Sequence, residues 1–109
     1  MAKSKKILLQ GDLSVGSAAK LKDELQESVN NASDLLVDLS GAQSVDISII
    51  QLLCAAFKEA RKTNKKISLT GVLQPELIEA FYACGFIDTK QLANEGLLSM
   101  INENMEAAL

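Results

Sequence analysis

The chain has 109 residues, 48% of them hydrophobic, with 14 acidic and 11 basic side chains and a formal net charge of −3. That length suits one domain over residues 1–109 with a single core, and one proline with six glycines leaves little room for disorder. Interspersed charges, a single arginine (Arg61) and only four aromatic residues disfavour nucleic-acid binding, which needs a basic stripe or stacking platforms.

The start of the chain is basic, but its first apolar stretch, Ile7–Leu9, is far shorter than a signal peptide or a spanning helix requires. Neither export nor direct membrane insertion is expected. A cytoplasmic location follows, with Cys54 and Cys84 as reduced thiols packed among apolar neighbours. Lys5–Gln10 is short, aliphatic and closed by Gly11, which suits a strand. From Ser17 to Asn30 the period becomes helical, with Ala18, Leu21, Leu25 and Val29 on one face. Leu35–Leu39 is a nearly continuous apolar run, the pattern of a strand covered on both sheet faces.

Ser40-Gly41 breaks that strand, and Ser48–Asn64 forms a second helix on the apolar face Ile49, Leu53, Ala56, Phe57 and Ala60. Its basic exit (Lys58, Arg61, Lys62, Lys65, Lys66) is explained by the negative end of the helix dipole. Ile67–Thr70 alternates as a strand before Gly71. Pro75 opens a third helix that Gly85 stops, Phe86-Ile87 offers a short final strand, and a last helix begins near Asn94 with the stripe Leu98, Ile101, Met105 and Ala108. This alternation predicts an α/β fold: a mostly parallel sheet of four to five strands with about four helices packed against it.

Enzyme chemistry finds few components here. With no histidine, Ser-His-Asp and Cys-His arrangements are ruled out and the commonest general base is missing. Two cysteines thirty positions apart cannot supply a structural zinc site, and neither phosphate-loop spacing occurs. Glu24, Glu27, Glu59 and Glu79 fall on polar helix faces. No catalytic residue, metal or cofactor is expected. The segment Val37–Ile50 stands apart, because it leads from a strand through a loop into a helix N-terminus, where strand ends and oriented N–H groups meet ligands and partners.

That segment resembles the phosphorylation loop of the STAS domain (sulphate transporter and anti-sigma factor antagonist). Gly11-Asp-Leu-Ser14 is similar to the family's Gly-Glu-Leu-Asp turn, and Leu36-Val-Asp-Leu-Ser-Gly-Ala42 to the strand before its loop. Val45-Asp-Ile-Ser48 stands where the family carries Asp-Ser-Ser or Asp-Ser-Thr, and Lys65–Gly71, Pro75 and Gly85-Phe-Ile87 resemble its closing strand, helix and turn. The resemblance implies a non-catalytic domain that binds a protein, often a kinase-type anti-sigma factor, with a loop hydroxyl whose phosphorylation excludes the partner.

The chain departs from that pattern at the switch. Ile47 holds the phosphoacceptor position, Ser14 replaces an acidic residue, and Ile49-Ile50-Gln51 replaces Gly-Leu-Gly. Ser48 is either a displaced phosphoacceptor or the N-cap of a Ser48–Gln51 capping box, the latter favoured; Asp46 is an anion near the helix start. Ile47 is either core or an exposed contact, with the contact favoured. The expected docking residues are Asp12, Ser14, Asp46, Ile47, Ser48 and Ile49. They would meet an anti-sigma or kinase-like regulator, or hold a structural place in a membrane transport or chemotaxis-like signalling assembly. Either an edge strand or the C-terminal helix can support a homodimer.

Overall fold

The computed structural model describes residues 3–107, leaving Met1, Ala2, Ala108 and Leu109 outside the description. The elements run β1 (Ser4–Leu13), α1 (Val15–Asn31), β2 (Asp34–Val45), α2 (Ile47–Lys62), β3 (Lys66–Thr70), α3 (Pro75–Ala83) and α4 (Asn94–Ala107). The three strands form one parallel sheet in the order β1-β2-β3. Register follows the apolar pattern: Leu35 lies between Lys5 and Ile67, and Val37 between Ile7 and Leu69.

Ile7, Leu9, Leu35, Val37, Leu39, Ile67 and Leu69 join one core with the apolar faces of all four helices, among them Leu53, Phe57, Phe81 and Ile101. The helices α1 and α2 pack side by side, so both crossovers lie on the same face. The other face of the sheet is open. Burial alternates along Asp34–Leu39, and on the open side Lys6 meets Asp38 at 3.2 Å while Leu8 remains 59% exposed. The apolar run of β2 is therefore covered on one face only, and Asp38 within it marks the wet side.

The sheet has three strands among the described residues, fewer than the four to five expected. Phe86 and Ile87 form no strand. Gly85 takes φ +82° after α3, the Phe86 N–H closes back on the Phe81 carbonyl, and Ile87 drops into the core. Ser40-Gly41 does not end β2 either. The strand continues to Val45 because the β1–β2 ladder absorbs two register shifts, one between Leu8 and Gln10 and one between Gly11 and Asp12. On α4 the buried stripe is Leu97, Ile101 and Met105, with Leu98 half-buried and Ala108 beyond the described residues.

Some ties join residues far apart in the chain. Arg61 and Lys62 occupy the last turn of α2, but Lys65 turns away to donate to the Val29 carbonyl and, at 2.9 Å, to that of Asn30. It thus caps α1, whose last turn has no basic residue of its own. After β3, Gly71 adopts φ +97°, and a Cβ there would lie 2.3 Å from Asp38 Oδ1 and 2.9 Å from the Ser40 backbone nitrogen. Gly71→Ala is expected to destabilise the domain by about 2–3 kcal/mol through positive-φ strain and this clash. Urea denaturation measures it, and a loss indistinguishable from zero contradicts the turn described.

Candidate functional site

The carboxyl ends of β1 and β2 lie side by side, so the starts of α1 and α2 emerge together. Leu13 pairs with Val45, and the Asp46 N–H donates to the Leu13 carbonyl at 3.1 Å, carrying the pairing into the loop. Asp46 then turns the chain into α2. Its Oδ1 accepts from the Ser48 N–H at 3.0 Å, the Ile49 N–H at 3.4 Å and the Ser48 hydroxyl. Its Oδ2 accepts from the Val15 N–H at 2.9 Å, at the first turn of α1. One carboxylate therefore serves the N-termini of two helices, where unpaired N–H groups and the dipoles favour an anion.

Asp46, not Ser48, is the N-cap of α2. Ser48 lies one residue inside the helix, and its hydroxyl is spent on Asp46, so the capping box expected from Ser48 and Gln51 does not form. An aspartate two residues upstream reaches the same donors with a charged acceptor, which makes the stronger bond. Ser14 occupies the N-cap position of α1 without any side-chain cap bond; Asp46 serves there from the neighbouring loop. The Ser48 hydroxyl bond, followed by the N–H groups of Val15, Ile49 and Ser48, holds the Asp46 carboxyl below its usual range against the opposing effect of burial.

The expected docking residues separate into surface and support. Ile47 is 62% exposed at the first position of α2. Asp12 and Ser14 are exposed, Asp12 accepting from the Ser44 hydroxyl at 2.8 Å. Asp46 and Ser48 are half-buried. Ile49 is fully buried. It belongs to the core beneath the loop and offers a partner nothing, as its place on the apolar face of α2 requires. Val15, absent from the expected set, is 74% exposed and opens α1 directly beside Asp46. A helix start at Ser17 hides it; the signal that finds it is Ser14, a residue of N-cap type, immediately upstream. Two branched apolar side chains thus stand at the heads of adjacent helices, with a fixed carboxylate between them.

A family model described as "Mlab, STAS domain" matches residues 2–93. No curated protein matches the sequence. Among solved structures, a sulfate transporter family protein from Wolinella succinogenes aligns with TM-score 0.60 and 15% identity, covering 95% of this chain and 85% of that one. The anti-sigma factor antagonist SpoIIAA of Bacillus, in its phosphorylated form, aligns with TM-score 0.56 and 13% identity over 78% of each chain. Mglu aligns with TM-score 0.55 and 15% identity over 61% of this chain. The chain spans 17% of the length of Mglu and 64% of unphosphorylated SpoIIAA. At these identities the likeness is one of fold.

The double cap has a pH signature. A carboxyl whose folded pKa is depressed contributes stability that is complete above its unfolded value, about 3.9, and is lost as pH falls through the folded value. Asp46→Asn keeps one acceptor oxygen but not the charge. Its stability deficit against the native chain is expected to hold steady from neutral pH down to about pH 5 and to shrink below about pH 4. Chemical denaturation at a series of pH values measures the difference, and a deficit independent of pH would refute the capping role of the charge.

Proposed function

Because the chain belongs to the STAS domain family, we propose that it is a non-catalytic module that docks a protein partner, kinase-like or otherwise signalling, through Ile47 and Val15 around Asp46, without phosphorylation at position 47. The observation that carries this reading is the exposure of Ile47 beside the rigidly capped Asp46. Isoleucine has no hydroxyl, so the family's usual means of expelling a partner is absent at this position, and a permanent apolar contact replaces it. Ser48, the remaining candidate acceptor, has its hydroxyl bonded to Asp46. A phosphate there would bring about −1.5 to −2 charges against a carboxylate already using the same helix N–H groups. The domain thus docks constitutively or is switched elsewhere.

The non-enzyme reading rests on the missing histidine and on the absence, among the described residues, of any cluster of metal-ligating side chains. A second reading, a structural subunit of a membrane transport complex or signalling assembly, draws support from the transporter-family neighbour. Among the described residues no helix is long and apolar enough to cross a membrane. A constitutive apolar contact suits that role as well. The two readings part on exchange: a regulator releases its partner when competitor is added, whereas a structural subunit keeps it through extensive washing.

Ile47→Asp is expected to weaken capture of the partner by tagged chain while leaving the melting temperature within a few degrees, since the side chain is exposed. Unchanged capture removes Ile47 from the docking surface. Incubation with ATP and candidate kinases should leave the intact mass unaltered at Ser48. A stoichiometric phosphate on that residue overturns the constitutive reading.

A further inference from the structure

The two edges of the sheet are finished differently. Outside β3, Asn102 of α4 aims its side-chain amide at Leu69, its Oδ1 accepting from the Leu69 N–H at 2.7 Å and its Nδ2 donating to the Leu69 carbonyl at 3.0 Å. These are the two bonds a neighbouring strand would make, so α4 seals that edge in the middle of β3. Among the described residues, β1 has no strand on its outer side. It is ten residues long and carries Leu8, 59% exposed, on the open face of the sheet. A long unpaired edge with an exposed leucine is a template for another strand.

We propose that β1 pairs antiparallel with β1 of a second copy of this chain, so that the two sheets become one across a twofold axis. Charge selects this occupant. The strand carries Lys5 and Lys6 near its start and Asp12 near its end. Parallel in-register pairing would set lysine against lysine, whereas antiparallel self-pairing sets the basic end of each strand against the acidic end of the other. With Leu9 on the axis, Lys6 lies opposite Asp12 of the second copy and Leu8 opposite its Gln10, and directly opposite residues share a face. That common face is the open one. Lys6 reaches Asp38 there, Asp12 reaches Ser44, and the buried Ile7, Leu9 and Leu13 point the other way.

Lysines on an edge ordinarily discourage pairing. The twofold arrangement is the one in which Lys6 of each copy meets an anion, Asp12, supplied by the same strand of the other. Leu8 then sits one residue from the axis on both copies, and the two side chains cover each other's flanks. The contact is isologous and closes on itself, giving a dimer rather than a fibre.

Sedimentation velocity of the full chain over a concentration series tests this. The native chain is expected at twice the mass of one chain. Leu8→Lys and Asp12→Lys should each sediment at the mass of one chain, with far-UV circular dichroism unchanged, because both positions are exposed. Ile47→Asp should remain dimeric, which keeps failure here separate from failure of the loop to dock a partner. A native chain that is monomeric at every concentration, or a dimer that survives both lysine substitutions, overturns the proposal.

Discussion

The Asp46 carboxylate is the interaction on which the junction of β1, β2, α1 and α2 depends. Each helix of a parallel α/β unit begins with backbone N–H groups that lack intrahelical partners, and here two helices begin next to each other. Separate caps would leave the two loops free to move apart. Sharing one residue removes that freedom, because any displacement of the β2–α2 loop also breaks the bond to Val15 on α1. The Asp46 N–H bond to Leu13 extends the sheet ladder into the same junction. The result is a preorganised surface, and a partner that binds it has little ordering left to impose.

A similar economy runs through the rest of the fold, where side chains distant in sequence complete backbone ends. Lys65 finishes α1, Asn102 finishes the edge of β3, and Asn94 holds the turn after β3, donating to the Gly71 carbonyl and accepting from the Leu73 N–H, both at 2.8 Å. A core on one face of a three-stranded sheet cannot bury these ends in depth, so each needs its own partner. The open face follows from the same layout. All four helices feed one core, and the opposite side carries the Lys6–Asp38 ion pair at its centre.

Most of the architecture was legible because period and punctuation agreed. The helical spacing of Leu21, Leu25 and Val29, the alternation of Ile67–Thr70, Pro75 at a helix start and Gly85 at its end all correspond to observed elements. What resisted reading was non-local. Ser40-Gly41 looks like a break, yet bulges let the strand run through it to Val45. Ser48 has the right spacing for a capping box, yet Asp46 outcompetes it with charge, and the bond from Asp46 to Val15 spans 31 positions that no local pattern connects. Asn102 is an ordinary polar residue in the sequence and acquires its role only when α4 lies against β3. The helical period did separate Ile49, on the apolar face of α2, from Ile47 outside it, and the error was to count Ile49 with the loop as well.

That last pair separates core packing from the proposed docking surface. Ile49 is fully buried and Ile47 is 62% exposed, two residues apart in the same turn. Burying an isoleucine is worth roughly 2 kcal/mol, and the fold collects this at position 49 while forgoing most of it at position 47. Val15, 74% exposed at the head of α1, forgoes it a second time beside the same carboxylate. Single exposed apolar residues are ordinary. Two of them, fixed by one buried-edge anion at the junction of adjacent helices, hold unspent burial in a defined geometry, and a partner that covers both can draw on it without disturbing the core beneath.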